Sequence, residues 1–510
     1  MNYTETIEYI HSTPKFSRIL GNDLLRKLLE KMGNPQKDLM FIHIAGTNGK
    51  GSCAIMLSEI LTKAGYKTGL FTSPYIEIFN ERIKINGEMI SNEALAEITT
   101  KIRATLEKYN TPVSEFALDT AIAFEYFKKE GCDIVVLETG LGGRLDATNV
   151  IDSSVISILM SIDMDHTQYL GNTIAEITAE KCGIIKESST VVVYPIQSSS
   201  AKKVIKATCT EKNAELIFAK APTINEGTSF TLKRKKYTLS MVGDFQKYNA
   251  STVIEAINQL NIKGWNIPPS AINDGLLSAF NPARYEKLSN GLILDGAHNI
   301  SAIRELCHSL LKEDYPPVIC IAMMEDKDIS SCVAELAKIK PMVIVTEVNL
   351  PRCINSKKLC TEFEQHEIYP IIIKDPIKAS KTALSLSFAN RTPVVCGSLY
   401  LMGEVRKNLL NHKASPLYYV YIMRCKDNSL YTGITTDVER RFMEHSAKDK
   451  KGAKYTSARQ VVSLEAVWEA GDRAFASVIE AFIKKQTKAT KEKLIKNNAL
   501  LFKIYNESIK

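Results

Sequence analysis

The sequence predicts an α/β fold divided among about three domains, and three observations carry that expectation. The chain has 510 residues, more than one hydrophobic core usually serves at roughly 100–200 residues per domain. Up to about residue 410, short apolar runs alternate with segments of helical period, the pattern of parallel strands joined by helices. Beyond the polar join Asn411-His412-Lys413-Ala414-Ser415-Pro416 the composition changes.

Strands are expected at 39–45, 134–138, 155–162, 292–295, 318–323, 342–348 and 394–397, all apolar runs bounded by turn residues. After the first, Leu57, Ile60, Leu61 and Ala64 fall at helical spacing, and Gly65 is placed to end that helix. A boundary is expected near 281–288, where Pro282 interrupts the pattern before a new strand–turn–helix unit. In the tail, an aromatic strand at 417–424 turns at Asp427-Asn428 into a second strand near 430–434, and helical spacing starts at Val438. The expected domains are therefore 1–283 and 284–411, then a linker at 412–416, a small α/β domain at 417–500 and a terminal stretch at 501–510.

Apolar residues at 45% and charged residues at 24% exclude collagen-like, mucin-like and largely disordered chains. No run of about 18 uncharged apolar residues occurs, so no membrane span is expected. Glu5 and Glu8 stand where a signal peptide would carry basic residues. Eleven cysteines without a CxxC pair read as free core thiols of a cytoplasmic protein, and eight scattered histidines suggest no structural zinc. The net charge of +8 is concentrated in 416–510, where 18 Lys and Arg face 11 Asp and Glu. A nearly neutral body thus carries a basic tail suited to phosphate backbones, although the stretch 484–496 alone reads as a solvated helix end.

The expected strand at 39–45 runs into Gly46-Thr47-Asn48-Gly49-Lys50-Gly51-Ser52 and then a helix. Glycines let backbone N–H groups curl around an anion, the helix N-terminus adds its positive end, and Lys50 supplies a full charge. The run departs from GxxxxGK[ST], because Gly51 separates Lys50 from Ser52 and Ile44 stands at the first glycine. It still points to a nucleotide triphosphate. Further motifs follow in order: Thr72-Ser73-Pro74, Phe79-Asn80-Glu81-Arg82-Ile83, the segment 138–149 opening on Glu138-Thr139-Gly140, Asp165-His166, and Glu180-Lys181-Cys182-Gly183. Pro282-Ala283-Arg284, Asp295-Gly296-Ala297-His298-Asn299, Asp326-Lys327-Asp328 and Gly397-Ser398-Leu399-Tyr400 complete the series.

Over roughly 1–410 this ordered set resembles the folylpolyglutamate/dihydrofolate synthase branch of the Mur ligase superfamily. The resemblance implies a P-loop Mur-ligase-type ATPase domain followed by a Rossmann-like C-terminal ligase domain. Only 45 residues precede Gly46, too few for the UDP-sugar-binding domain of peptidoglycan ligases, which favours a folate substrate. The implied reaction joins L-glutamate to dihydropteroate and to reduced folates. Because a carboxylate has no competent leaving group, ATP first converts it to an acyl phosphate.

By the same resemblance, Gly46, Thr47, Asn48, Gly49, Lys50, Gly51 and Ser52 would bind ATP, with Arg284, Asp295 and His298 gripping it from the second domain. Ser73 and Glu138 would hold one Mg²⁺ and His166 a second, with Lys181 N-carbamylated. Lys50, Glu138, His166 and Lys181 form the implied catalytic set. Arg82 and Asp146 are the folate-binding candidates, with Phe71–Arg82 and Ser114–Phe127 lining the slot. Asp146 has an equal alternative as the acceptor of an Asx turn. Pro-Ala-Arg-Tyr stands where the family usually has Pro-Gly-Arg, and Cys182 replaces a usual alanine. The ligase part is expected to act as a monomer.

In the tail, Tyr419-Val420-Tyr421-Ile422, Tyr431-Thr432-Gly433-Ile434, Glu439-Arg440-Arg441-Phe442, His445 and Glu480 resemble a GIY-YIG nuclease domain over about 417–500. The resemblance implies that Tyr421 and Tyr431 lie on paired strands, Tyr431 activates water, Arg441 stabilises the scissile phosphate and Glu480 binds one divalent metal. His445 completes that set. Lys448, Lys450, Lys451 and Lys454 would hold flanking DNA phosphates. The alternatives are that the tyrosines are cross-strand packing residues and Glu480 a helix-surface charge. The chain would then be a monofunctional folylpolyglutamate synthase whose tail binds nucleic acid without cleaving it.

Overall fold

The computed structural model describes residues 1–14, 22–446 and 460–508, and the chain divides into two units, Met1–Pro282 and Ala283–Lys510. Among the described residues, the first unit is built on a sheet of strands β1 (Phe41–Ala45), β2 (Thr68–Phe71), β3 (Ile83–Ile85), β4 (Glu88–Met89), β5 (Ile134–Glu138), β6 (Ile156–Leu159), β7 (Thr190–Val193) and β8 (Glu215–Phe218). Their order is β4-β3-β2-β5-β1-β6-β7-β8, and β9 (Thr223–Ile224), β10 (Ser229–Leu232) and β11 (Lys235–Thr238) form a separate antiparallel sheet. All pairings of the larger sheet are parallel except those of β3 with β2 and β4.

The central strands are buried throughout, which is why they read as unbroken apolar runs instead of alternating ones. Their residues nevertheless divide by parity. Ile42, Ile44, Ile134 and Val136 join one core, under helices Lys50–Lys63 and Asp244–Ile262. Phe41, Val135 and Leu137 join the other, with helices Asn92–Tyr109 and Glu115–Lys129. The sheet brings the carboxyl ends of β1, β2 and β5 together, and ligands of open parallel sheets gather at such ends.

The expected strands within 39–45, 134–138 and 155–162 form, whereas β2 and β7 carried too few residues to announce themselves. Gly69 weakens the signal of β2 further, yet it is required there: a Cβ would lie 2.9 Å from the Phe127 ring.

In the second unit, β12 (Glu286–Lys287), β13 (Ile293–Leu294), β14 (Pro317–Ile321), β15 (Met342–Val345), β16 (Ile371–Ile372) and β17 (Thr392–Cys396) form a sheet ordered β12-β13-β17-β14-β15-β16. The tail contributes β18 (Tyr419–Cys425), β19 (Leu430–Thr435) and β20 (Val461–Glu469), ordered β19-β18-β20 and antiparallel. The two sheets belong to one unit, and specific bonds join them. Arg391 Nε donates to Glu469 Oε2 at 3.1 Å. Most of helix Leu500–Ser508 falls in the terminal stretch.

That helix treats β16 as an edge to be covered. Asn506 Oδ1 accepts from Ile372 N at 3.2 Å and its Nδ2 donates to Pro370 O at 2.7 Å, reproducing with one amide the pairing of a neighbouring strand. Asn506→Leu leaves a buried N–H and C=O unpaired, at a cost of about 1–3 kcal/mol. A lower urea midpoint for the full chain, read by intrinsic fluorescence, is the expected result.

All eleven cysteines are free and ten are buried. No helix among the described residues is long and apolar enough to cross a membrane.

Candidate active site

β1 delivers Gly46 to the middle of the first unit's sheet, and the following loop is pinned to the segment after β6. Thr47 N donates to Ser161 O at 2.7 Å, and Thr47 Oγ1 donates to Asp163 O at 3.1 Å. Two glycines are dictated by space. A Cβ on Gly46 would lie 2.6 Å from Met160 Cβ, and one on Gly49, whose φ is +86°, 2.5 Å from Asn249 Oδ1. Gly49 caps helix Lys50–Lys63, so the helix N-terminus opens directly from the loop.

Glu138 ends β5 opposite Ile44 of β1 and is buried. Its Oε2 accepts from Ser73 N at 3.1 Å, and a Cβ on Gly51 would lie 3.6 and 3.7 Å from its two oxygens. The helix N-terminus, Ser73 and Glu138 therefore converge. Among the described residues, no group of three or more His, Cys, Asp and Glu side chains could hold a metal. One carboxylate and one hydroxyl, both hard oxygen donors, fit an ion that takes most of its shell from water and phosphate, as Mg²⁺ does.

Two lysines share one acceptor in the loop. Lys50 Nζ donates to Gly46 O at 3.1 Å and to Thr47 O at 3.3 Å, while Lys181 Nζ donates to Gly46 O at 2.9 Å. Lys181 is buried. Burial, then repulsion from Lys50, lowers its pKa to about 7, against the opposing pull of Asp165 and Asp146. Helix Ile174–Cys182 is locked in place by the segment after β5, with Arg144 N donating to Glu180 O at 2.7 Å. His166 sits at φ 50°, its N–H donating to Asp165 Oδ1 at 2.8 Å.

Asp146 is buried, and its carboxylate serves its own loop. Oδ2 accepts from Leu141 N at 2.8 Å, and Oδ1 accepts from Thr148 N at 3.0 Å and Thr148 Oγ1 at 2.5 Å. This is the Asx-turn arrangement at the start of the short helix Ala147–Val150. Burial raises the carboxyl's pKa against those hydrogen bonds. Arg82 lies over the rings of Tyr75 and Phe79, at 5.2 and 5.7 Å, and beside Asp119.

The sequence reading missed a second wall of the loop. Gln246 Nε2 and Asn281 Nδ2 each donate to Ser52 Oγ at 3.2 Å, and Asn249 Nδ2 donates to Gln246 Oε1 at 3.0 Å. Gln246 and Asn249 are buried on an otherwise apolar helix face, and that polar pair at i, i+3 was the available signal.

In the second unit, buried Asp295 accepts from Tyr285 N through Oδ2 and from Ala297 N through Oδ1, both at 2.8 Å. Its carboxyl pKa is raised by burial and opposed by Arg284. A Cβ on Gly296 would meet Leu399 at 2.2 Å and Arg284 Nη1 at 3.1 Å, so Arg284 lies against the Asp295–Gly296 turn. His298 Nδ1 lies 2.7 Å from Gly296 O. Ala283, where the resembled pattern usually has glycine, takes the left-handed φ of 56° that glycine adopts without strain.

The tail brings four of its five candidates together. Tyr421 faces Gly433 across β18 and β19, and a Cβ on Gly433 would lie 2.4 Å from the Tyr421 hydroxyl. That hydroxyl is 3.3 Å from His445 Nε2, and the Tyr431 and His445 ring centroids are 5.1 Å apart. Burial raises the Tyr421 pKa and lowers that of His445, and Arg441 acts on both. Arg441 Nη1 also donates to Glu444 Oε2 at 2.8 Å. Glu480 lies on helix Arg473–Lys485, which packs on β18 and β19, and its Oε1 accepts from Lys484 Nζ at 2.9 Å. No hydrogen bond joins it to the tyrosine–histidine cluster among the described residues. Lys448, Lys450, Lys451 and Lys454 lie outside the described residues.

Comparison with known proteins gives three successive family matches: the Mur ligase middle domain at 44–257, the dihydrofolate synthetase C-terminal domain at 280–409 and the GIY-YIG catalytic domain at 417–498. A folylpolyglutamate synthase of Lacticaseibacillus casei is 34% identical over 81% of this chain and 100% of its own. A dihydrofolate synthase/folylpolyglutamate synthase of Bacillus subtilis is 33% identical over 80% of this chain and 99% of its own. The structure of Mycobacterium tuberculosis folylpolyglutamate synthase complexed with ADP and AMPPCP superposes with a TM-score of 0.73 at 25% identity, covering 81% of this chain and 99% of that one. A phosphate loop facing a strand-end glutamate, three domain matches in series and relatives spanned along their whole length lead to one conclusion: this chain belongs to the folylpolyglutamate/dihydrofolate synthase family of ATP-dependent Mur ligases and carries a GIY-YIG domain at its C-terminal end.

Proposed function

We propose that the chain adds L-glutamate both to dihydropteroate and to the glutamyl γ-carboxylate of tetrahydrofolate through an acyl phosphate. The observation that carries this reading is the convergence of the Lys50 helix terminus, Ser73 and Glu138. N–H groups of residues 46–52 and the Lys50 ammonium hold the triphosphate, and Glu138 and the Ser73 hydroxyl hold Mg²⁺. When bound, Mg²⁺ neutralises charge on the phosphate oxygens. Arg284, Asp295 and His298 are further proposed nucleotide contacts. Burial eases deprotonation of the Lys181 amine, and the neutral amine is the form that adds carbon dioxide, which supports the proposal of a carbamate at Lys181. Purified full-length protein should release ADP only when dihydropteroate or tetrahydrofolate is present together with glutamate. ADP release with UDP-muramoyl substrates instead would overturn the assignment.

For the tail we infer a metal-dependent endonuclease, supported by the packing of Tyr421, Tyr431, Arg441 and His445 into one cluster, with Glu480 as the proposed metal ligand. Full-length protein incubated with branched DNA and Mg²⁺ or Mn²⁺ should nick it, and Arg441→Ala should abolish nicking. Retention of DNA without nicking would leave a binding module alone.

A further inference from the structure

The first unit holds a buried charged pair that the reaction scheme leaves unused. Asp119, on helix Glu115–Lys129, has a side chain only 1% exposed, and that of Arg82 is 11% exposed. Arg82 Nε and Asp119 Oδ2 are 3.6 Å apart, too far for a good hydrogen bond. Among the described residues, neither Asp119 oxygen has a hydrogen-bond partner, and neither do Arg82 Nε and Nη1. Buried polar atoms are rarely left in this state, and an ion pair without hydrogen bonds recovers little of its desolvation cost.

The surroundings are specific. Arg82 O accepts from Thr72 N at 3.0 Å, which ties the arginine to the segment that carries Ser73. Phe116, one helical turn before Asp119, lies 2.7 Å from a Cβ placed on Gly140, two residues after Glu138. The pair therefore lies behind the wall assigned to the folate. Among the described residues, the other charged groups facing Asp119 are Glu115 on its own helix and His11 on helix Tyr3–Ser12. These two are already joined, with His11 Nδ1 and Glu115 Oε1 3.0 Å apart, and the Tyr75 hydroxyl lies 3.3 Å from His11 Nε2. Burial raises the Asp119 pKa to about 7, with Arg82 opposing, Glu115 reinforcing and His11 opposing.

We propose that Asp119 is a positioning residue that holds the Arg82 guanidinium until a substrate carboxylate displaces it, so that substrate binding is coupled to protonation of Asp119. This rests on the assignment of Arg82 to the folate site. An arginine offers a carboxylate a planar fork of donors, and Asp119 leaves that fork unsatisfied. Once the incoming carboxylate takes the guanidinium, Asp119 is an unpaired buried charge and binds a proton from solvent. The exchange is balanced: one anion and one proton enter together, and no bond in the substrate changes.

The test uses the full chain, with KM for dihydropteroate and for glutamate measured separately from pH 6 to pH 9. The KM of the substrate whose carboxylate binds Arg82 should rise by up to about tenfold per pH unit above about pH 7, with kcat unaffected by Asp119. A slope in the dihydropteroate arm supports the proposal, and a slope confined to the glutamate arm overturns it, because Arg82 is assigned to the folate site. In Asp119→Asn that slope should vanish, and in Asp119→Glu it should return. A slope unchanged in Asp119→Asn overturns the proposal. If Asp119→Asn does not fold, titration calorimetry of the unsubstituted protein in two buffers of different ionisation enthalpy decides, since uptake of about one proton at pH 7.5 is required and none contradicts it. Absence of any turnover by the unsubstituted protein would instead count against the ligase reading itself.

Discussion

Glu138→Gln lowers the rate of folate-dependent ADP release by about 10²–10³-fold, the range seen when one preorganised electrostatic partner is removed. The substitution keeps the shape of a side chain that is only 3% exposed, but it removes the charge that faces the helix terminus at Gly51. It also places an amide where Oε2 now accepts from Ser73 N at 3.1 Å, so either a donor meets a donor or the amide turns its single oxygen inward. In either case one oxygen is left where the proposed site needs two, one for Ser73 N and one for Mg²⁺. Steady-state ADP release checks the rate, and far-UV circular dichroism checks that the fold persists. Ser73→Ala keeps the backbone N–H bond to Glu138 and should cost less.

Lys181→Met should make the protein more stable while removing its activity, the signature of a residue kept for chemistry. The folded-state pKa of about 7 lies below the ordinary 10.5, so between those values the unfolded chain holds a proton that the folded chain has lost. Stability therefore rises with pH across that window, and the penalty is complete below about pH 7. At about 1.4 kcal/mol per pKa unit the penalty is on the order of 5 kcal/mol. Losing the hydrogen bond to Gly46 O returns about 1 kcal/mol of it. The variant should thus gain a few kcal/mol near pH 7 in metal-free, carbon-dioxide-depleted buffer, and its urea midpoint should climb less steeply between pH 7 and 10, where the lowered pKa of Lys186 still contributes. Turnover should fall by about 10²-fold or more.

Much of this was legible in the letters, and the reasons differ by residue. β1 and β5 were readable because strands buried on both faces must be apolar throughout, and residues 46–51 because a curled loop needs glycine where Met160 and Asn249 crowd it. Gln246 and Asn249 were not, because their polarity counts only once the helix is known to face Ser52. Asp119 was invisible for the same reason: one acid on a helix looks solvated until the packing shows it 1% exposed against Arg82. The third tail strand, β20, and the edge cap at Asn506 depend on pairings remote in sequence, which no local pattern encodes.

Phosphoryl transfer to the substrate acid in front of Lys50, Ser73 and Glu138 is tested most directly by isotope. With dihydropteroate carrying ¹⁸O in both carboxylate oxygens, the account requires the inorganic phosphate released with ADP to contain one ¹⁸O atom, because the oxygen that attacks ATP leaves as phosphate when glutamate displaces it. Phosphate free of ¹⁸O, accompanied by stoichiometric ADP and glutamylated product, would contradict it.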